Sequence, residues 1–375
     1  MSIPENFAEW AAVKGVVLTG VEPRQIPGRG IGIMTAREVK AGEILVQVPL
    51  SCFRTKQTVP ATLAKKVPGI SIHGLLAASL ALENARNDAG SAPWRSVFPT
   101  PQDLSCMPLL WPASLQRLLP RPARDLVAKQ AAKVDSDWKA ASQLGVERDE
   151  YVYRWLLVNT RSFYHAPAGG RTAGCAPGED KMALVPVADL LNHAPSGECK
   201  VTFSSRGLSI AADRAYALGE EIHICYGRHG SDFLLAEYGF LPDGNEWDEV
   251  CLDDALLSRL TDAQKDELER LGFLGRWRLD PRTPGCFRTQ VALRVLCGCP
   301  VRDFVNGAEK EGVQGVVDVY FGGVLAEFLN DIGERVREIE GLGAGDEEER
   351  EVLVRRWKQI AELVEGAKAQ LIQQQ

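Results

Sequence analysis

Hydrophobic and polar positions alternate differently in successive parts of the chain. In residues 16–50, short β-branched runs are separated by glycines at positions 28, 30, 32 and 42, a pattern that predicts short strands joined by tight turns. In residues 74–144, apolar residues follow a helical period and prolines separate the later elements, which predicts a series of helices. An apolar run at residues 181–187 predicts a further strand, after a Gly-, Ala- and Pro-rich surface loop at residues 166–180. This order predicts a β-rich domain that is interrupted by a helical insert.

Beyond residue 240 the pattern is typical of charged, amphipathic helices. Two stretches each place their apolar residues on one helical face. These residues are Phe321, Val324, Leu325, Phe328, Leu329, Ile332, Val336 and Ile339, and then Leu353, Trp357, Ile360, Val364, Ala367 and Leu371. The glycine-rich residues 341–345 turn the chain between the two stretches, and the acidic residues 346–349 suit the start of the last helix, where the helix dipole favours negative charge. The predicted fold class is α+β, with an antiparallel helical hairpin in an all-helical C-terminal domain.

The composition narrows the class of protein. With 375 residues, the chain is long enough for two domains. Its formal net charge of −7 argues against a nucleic-acid-binding protein, which needs clustered positive charge. No apolar run approaches the roughly 18–20 residues that span a bilayer, and the first residues lack the layout of a secretion signal. We therefore expect a protein of the cytoplasm or the nucleus that binds neither membranes nor nucleic acids.

The cysteines indicate a reducing environment and no metal site. Their number, nine, is odd, and their spacing forms no disulfide pattern. Cys297 and Cys299 are the closest pair, but no second pair follows at the spacing of a zinc site. The histidines share no metal-ligand spacing either. We expect reduced thiols and no bound metal.

Two short polar motifs carry the candidate chemistry. Residues 189–193 are Asp-Leu-Leu-Asn-His, and residues 222–227 are Ile-His-Ile-Cys-Tyr-Gly. Taken singly, the first could be a polar turn at the end of a strand, and the second the entry to a turn. Taken together, they resemble the two segments that form the knotted active site of SET-domain methyltransferases, in the subgroup of the Rubisco large-subunit lysine methyltransferase.

Further segments support this resemblance, in the order expected for that subgroup. They are Phe7, Trp10 and Gly15, then residues 28–33, 46–49, 94–111, 158–163 and 234–240. The resemblance implies a SET domain over residues 1–240, with a helical insert at about residues 60–150, and a helical substrate-binding domain over residues 241–375. It also implies S-adenosyl-L-methionine as the cofactor.

The resemblance assigns cofactor binding to two segments that precede the two motifs in the sequence. Pro27, Gly28 and Arg29 match the family's first cofactor loop, and a glycine there permits a close approach of the backbone to a ligand. Arg161 matches an arginine that faces the cofactor, whose carboxylate its planar guanidinium could pair with. A surface ion pair is the alternative for Arg161.

The two motifs supply the remaining cofactor contacts and the reaction centre. Asn192 offers both a donor and an acceptor to the amino-acid end of the cofactor, and His193 is implied to contact the adenine mainly through its backbone. Methyl transfer is an in-line displacement that needs aligned reactants and an uncharged amine rather than a metal. Tyr226 is the catalytic candidate because its hydroxyl can accept contacts from the methyl group and orient the amine. A core tyrosine at the end of a strand is the alternative.

Two other residues are assigned to the substrate. Asp189 matches a family position near the substrate, although it could be only a turn cap. Tyr238 resembles the tyrosine that lines the substrate channel, and a buried aromatic residue is the alternative. The chain departs from the family at Ser231, where asparagine is usual.

We interpret the chain as a monomeric protein-lysine N-methyltransferase that acts on a protein substrate. Two alternatives stay open, namely a protein-histidine methyltransferase of the same fold and a non-catalytic adaptor that docks a partner. If the helical domain docks a folded substrate, truncation after about Leu252 should spare cofactor binding and abolish methylation of that substrate.

Overall fold

The computed structural model describes residues 2–165 and 181–373, so the predicted loop at residues 166–180 lies outside the described residues. The chain has the predicted α+β class and divides into two compact units, residues 1–105 with 129–228, and residues 106–128 with 229–375. The predicted division into residues 1–240 and 241–375 stays a prediction. No helix in the described part of the chain combines the length and the apolar character that a membrane crossing requires.

The helices and strands are numbered in chain order. The helices are α1 (Ile3–Val13), α2 (Ala61–Lys66), α3 (Ile72–Ala85), α4 (Ala92–Arg95), α5 (Ala113–Gln116), α6 (Arg121–Ala141), α7 (Arg148–Arg161), α8 (Ser231–Tyr238), α9 (Asp253–Leu257), α10 (Asp262–Arg270), α11 (Phe287–Leu296), α12 (Val301–Val305), α13 (Val313–Glu340) and α14 (Glu347–Gln373). The strands are β1 (Val17–Leu18), β2 (Val21–Ile26), β3 (Gly30–Thr35), β4 (Ile44–Pro49), β5 (Ser162–Tyr164), β6 (Met182–Leu184), β7 (Asn192–His193), β8 (Lys200–Ser204), β9 (Gly207–Ala211), β10 (His223–Ile224), β11 (Val250–Cys251) and β12 (Arg278–Leu279).

The first unit contains a four-stranded antiparallel sheet in the order β1-β4-β9-β8. Its central strands β4 and β9 bury apolar side chains such as Leu45 and Ile210. At one end of this pair, a Cβ added to Gly207 would lie 2.0 Å from the Val48 carbonyl oxygen, so only glycine fits there. The short strands predicted within residues 16–50 are confirmed as β1 to β4.

Helix α3 of the helical insert packs against α7, which follows the insert. The His73 ring on α3 stacks on Trp155 of α7 with ring centroids 3.9 Å apart, and the His73 Nε2 atom lies 2.9 Å from the Trp155 carbonyl oxygen. Burial lowers the pKa of His73 to about 3, so this histidine is a neutral packing residue. The series of helices predicted within residues 74–144 is confirmed, and α3 is the first of them.

The second unit is mostly helical and contains one short antiparallel strand pair, β11 with β12. Its apolar core includes residues of the segment 111–127 and of helices α13 and α14. These two helices pack together and form the predicted hairpin, which is confirmed. The Asp346 carboxylate accepts a hydrogen bond from the Glu349 backbone N–H at 2.8 Å, so the predicted acidic start of α14 is confirmed as a helix cap.

Candidate active site

The site in the first unit is built on two strands of only two residues each. β7 and β10 pair in parallel, so that Asn192 lies opposite His223 and His193 opposite Ile224. The Ala194 backbone N–H donates to the Ile224 carbonyl oxygen at 3.0 Å and extends the pairing by one bond. The two motifs that the sequence singled out are thereby brought together, although about thirty residues separate them along the chain.

Tyr226 is held against the first motif by two hydrogen bonds. Its backbone N–H donates to the His193 Nδ1 atom at 3.1 Å, and its hydroxyl donates to the Leu191 carbonyl oxygen at 2.7 Å. Because Nδ1 accepts this hydrogen bond, a neutral His193 ring carries its proton on Nε2. The Tyr226 hydroxyl donates its only proton to the Leu191 carbonyl oxygen. Towards a second partner, the hydroxyl oxygen can therefore act only as a hydrogen-bond acceptor.

Asn192 and Arg29 meet at a carboxylate that the sequence analysis did not single out. The Asn192 amide nitrogen donates to Glu221 Oε1 at 2.7 Å, and the Arg29 guanidinium lies 2.8 Å from Glu221 Oε2. His223 Nε2 lies 3.4 Å from the same Oε2 atom. The sequence did carry a signal for these residues, because polar Glu221 and His223 alternate with buried Ile222 and Ile224 as on the two faces of a strand.

Burial alone would raise the pKa of the Glu221 carboxyl. The hydrogen bonds from His223 and Asn192 and the charges of His223 and Arg29 outweigh that effect, so the pKa lies below its usual value. Glu221 is therefore an anion at neutral pH, with a polar partner at each oxygen.

The glycines of the β2–β3 hairpin have different roles. Gly28 takes φ +72° in the hairpin turn, and a Cβ added to it would meet no other atom within 4 Å. By contrast, a Cβ added to Gly32 would lie 2.4 Å from Ile26 Cδ1, 3.1 Å from Glu221 Oε1 and 3.2 Å from the Asn192 amide nitrogen. Gly32 is thus crowded by protein side chains, whereas Pro27 and Gly28 shape the turn that carries Arg29; the approach of a ligand to Gly28 stays a prediction.

Arg161 and Asp189 form a second polar pair in this unit. An Nη atom of Arg161 donates to the Asp189 carbonyl oxygen, and the Trp94 indole N–H donates to Asp189 Oδ2 at 2.9 Å. Two buried atoms, Arg161 Nε and Asp189 Oδ1, have no hydrogen-bond partner among the described residues. Burial raises the pKa of Asp189 to about 6, against the opposing charge of Arg161.

The backbone before Asp189 is strained. Val187 has φ +71° and ψ −48°, a conformation that a β-branched residue rarely adopts. It ends the β-branched run that predicted a strand over residues 181–187, so that β6 covers only Met182–Leu184 and a helical turn follows at Ala188–Leu190. Such strain occurs where the surrounding structure fixes a functional loop.

The structure places Tyr238 and Ser231 in the second unit. Tyr238 ends helix α8, and its ring centroid lies 6.2 Å from that of Phe240. Ser231 is fully buried at the start of α8, where its backbone N–H donates to Asp248 Oδ1 at 2.9 Å and its hydroxyl lies 3.3 Å from the Asn245 amide nitrogen. Serine thus has a structural role at the position where the chain departs from the family.

The first-unit site suits a zwitterionic ligand better than a metal ion. Asn192 and Arg161 present an amide and a guanidinium with a buried, unpartnered Nε, which fit the amino and carboxylate groups of the amino-acid end of S-adenosyl-L-methionine. Within residues 2–165 and 181–373, no three His, Cys, Asp or Glu side chains form a group that could hold a metal ion.

Comparison with known proteins agrees with this geometry. A family model of the SET domain matches residues 30–227. The chain is 28% identical to SET domain-containing protein 4 of Mus musculus over 322 residues, which cover 78% of this chain and 72% of that protein. It is 24% identical to ribosomal lysine N-methyltransferase set11 of Schizosaccharomyces pombe over 364 residues, 91% of each chain. A solved structure of Rubisco LSMT bound to AdoMet has the same fold, with a TM-score of 0.66 and 15% identity over 100% of this chain and 92% of that chain.

Proposed function

Because the chain belongs to the SET-domain family, we propose that it is a protein-lysine N-methyltransferase that uses S-adenosyl-L-methionine. The observation that carries this proposal is the position of Tyr226. Its backbone and its hydroxyl are both bonded to the segment 191–193, which joins a phenol oxygen to the proposed cofactor residues in one rigid cluster. A protein that only docks a partner would have no use for this arrangement.

The chain's own residues bind and orient the reactants. S-adenosyl-L-methionine supplies an electrophilic methyl group on a positively charged sulfur. Arg161 would hold the carboxylate and Asn192 the amino group of its amino-acid end, and the His193 backbone would contact the adenine. Catalysis by positioning needs these groups to be held rigidly, and the parallel pairing of β7 with β10 supports that requirement.

The acceptor must reach the site as an uncharged amine. Free lysine has a pKa of about 10.4, so its ammonium has to lose a proton before it can attack. Removal from water, next to a cationic sulfur, lowers the pKa of such an amine. The Tyr226 oxygen offers an accepting lone pair, which can orient the N–H groups of the neutral amine and accept weak contacts from the methyl group.

We assign docking of the protein substrate to the mostly helical second unit. Residues 106–128 and 229–375 contain 20 Lys and Arg and 30 Asp and Glu, so this unit attracts a basic protein segment. One similar protein is named a ribosomal lysine N-methyltransferase, which agrees with a basic protein as substrate. The proposal includes a monomer in the cytoplasm or the nucleus, and the free thiols of all described cysteines support a reducing compartment.

Truncation after about Leu252 is a poor test of this docking role. It would remove Arg356 and Trp357, which are bonded to Asp248 and to the Leu118 carbonyl oxygen inside the second unit. The truncated chain would leave these partners unpaired and expose the core of the unit. Docking therefore has to be tested with the full chain.

Methylation of a cell lysate by the full chain, with isotope-labelled S-adenosyl-L-methionine, tests the proposed function. Mass spectrometry should find the label on lysine side chains of a protein. Label on histidine would replace lysine by the alternative acceptor, and a chain that binds the cofactor but transfers no label to any protein would contradict the enzyme proposal.

The Tyr226→Phe variant connects this activity to the site. It should bind the cofactor with unchanged affinity and lose methyl transfer by roughly tenfold or more, because only the hydroxyl is removed. The matched control is Tyr216→Phe, which removes a hydroxyl of the same unit whose partners, Asp213 and Cys199, lie outside the two motifs. Equal transfer rates in the two variants would withdraw the catalytic role from Tyr226.

A further inference from the structure

Glu221 is the central side chain of the polar cluster in the first unit, and its role goes beyond that of an ion-pair partner. Only 8% of its side chain is exposed, whereas 57% of the paired Arg29 side chain is. Its backbone neighbours are tied to β3, because the Ile222 backbone N–H donates to the Ile33 carbonyl oxygen at 2.8 Å. The carboxylate therefore has a fixed position against Asn192.

The Glu221 carboxylate and the Asn192 amide are packed against the same glycine, Gly32. The absent Cβ of Gly32 would lie 3.1 Å from Glu221 Oε1 and 3.2 Å from the Asn192 nitrogen, so the pair fills the space beside the glycine. The 2.7 Å bond between them is that of a charge-assisted hydrogen bond.

An asparagine amide has two chemically opposite ends, and the choice between them decides what it can bind. An ionised carboxylate only accepts hydrogen bonds, so Glu221 requires the nitrogen end of Asn192 to face it. The oxygen end then points away from Glu221 and is an acceptor. An acceptor suits the α-ammonium of an amino acid and does not suit its α-carboxylate.

We propose that Glu221 is a positioning residue that turns the Asn192 amide so that its oxygen binds the α-ammonium group of the cofactor's amino-acid end. Arg29 and His223 hold the Glu221 carboxylate in its ionised form, and Arg161 remains the partner of the α-carboxylate. This inference rests on the use of S-adenosyl-L-methionine in the proposed function, and it assigns a task to three residues near Asn192.

A purely mechanical role is the competing explanation. Glu221 also connects the β2–β3 hairpin to β10 through Arg29, so its loss could loosen the whole site. The mechanical role and the proposed role predict different effects on the preference between two ligands. A loosened site binds every ligand less well, whereas a misdirected Asn192 loses only the preference for an ammonium group.

The test compares two ligands by calorimetric titration of the full chain. One is S-adenosyl-L-homocysteine, and the other is the same molecule with its α-ammonium replaced by hydrogen. The wild-type chain should bind the first about tenfold or more tightly, which is the scale of one hydrogen bond to a charged group. In Glu221→Gln, either end of the Asn192 amide can face the new side chain, so this ratio should fall below about threefold.

Glu220→Gln is the matched control, because Glu220 is the preceding residue and pairs with Arg214 rather than with Asn192. Its ligand ratio should equal that of the wild type. If Glu221→Gln weakens both ligands equally and keeps the wild-type ratio, Glu221 is only a mechanical link and the proposal is overturned.

The wild-type ratio alone can also overturn the proposal, whether or not Glu221→Gln folds. A wild-type chain that binds both ligands equally well overturns the role of Glu221 and leaves the proposed function standing. A wild-type chain that binds neither ligand overturns the proposed function together with this inference.

Discussion

Each of the two units contains an arginine with buried guanidinium atoms, Arg161 in the first and Arg356 in the second. The two differ in how many of their N–H groups have a hydrogen-bond partner. Arg356 is fully buried in the second unit, and its Nε and Nη atoms donate to Asp232, Asp248, Gln359 and the Glu249 carbonyl oxygen. Arg161, in the first unit, donates to the Asp189 carbonyl oxygen and keeps a buried Nε atom without a partner among the described residues.

The difference separates a structural ion cluster from a binding group. Burial alone would lower the pKa of the Arg356 guanidinium, but Asp232 and Asp248 raise it, so the charge stays and each donor direction is used within the protein. An incompletely paired guanidinium carries a desolvation cost that a ligand's carboxylate can relieve. The unpartnered Nε of Arg161 thus supports a role in binding, whereas the fully paired Arg356 belongs to the scaffold of its unit.

The largest expected effect is the loss of stability in Arg356→Ala. This variant leaves Asp232 and Asp248 buried without their counter-charge, which should lower the free energy of unfolding by about 3–5 kcal/mol. Denaturant unfolding of the full chain measures the change.

The neighbouring Arg355 is the matched control. Its side chain is 47% exposed and pairs with a largely exposed Asp243 carboxylate, so Arg355→Ala should cost only about 0–1 kcal/mol. If both variants unfold at the same denaturant concentration, the buried cluster does not have the structural role that we assign to it.

The two units also differ in how much of them the sequence could predict. The sequence predicts the α13–α14 hairpin and most of its buried face, because a helix repeats its local pattern and its apolar face is visible in a single stretch of sequence, although α13 begins at Val313, before the predicted face. The strand predicted over residues 181–187 was too long. Val187 takes a backbone conformation that no local propensity favours and that only the surrounding structure can impose.

The site itself was predicted in part, and through resemblance rather than through pattern. Tyr226, Asn192 and His193 lie together as the two motifs suggested. Glu221 and Gly32 were missed because their importance comes from pairing across strands far apart in the sequence. A single sequence without such contacts cannot distinguish a carboxylate that orients an amide from one on a solvated strand.

The next effect concerns Asp189, the buried carboxyl group that lies near the charge of Arg161. Because its pKa is raised to about 6 in the folded chain, protonation favours the folded state. The stabilisation is fully present below about pH 4 and is lost as the pH rises through about 6, a change of about 3 kcal/mol. Asp189→Asn should remove this part of the pH dependence.

Unfolding free energies of the wild type and of Asp189→Asn at pH 4 to 7 measure this effect, with the exposed Asp135→Asn as the control. The free energy of unfolding of Asp189→Asn, relative to that of the wild type, should increase as the pH rises. Parallel curves for wild type and Asp189→Asn would mean that the buried carboxyl titrates alike in the folded and unfolded chains.

The smallest effect on stability, and the sharpest test of the comparison, is expected for Arg161→Ala. At about pH 5, where the Asp189 carboxyl is mostly protonated and needs no counter-charge, removing Arg161 breaks one hydrogen bond to a backbone carbonyl, which costs about 1 kcal/mol of stability. The same change removes the proposed partner of the cofactor carboxylate, so the affinity for S-adenosyl-L-homocysteine should fall by roughly 10- to 100-fold. Calorimetric titration and denaturant unfolding on the same preparation measure both quantities, with the exposed Arg148→Ala as the control. The distinction between the two arginines fails if Arg161→Ala resembles Arg356→Ala, with a large loss of stability and an unchanged affinity for the ligand.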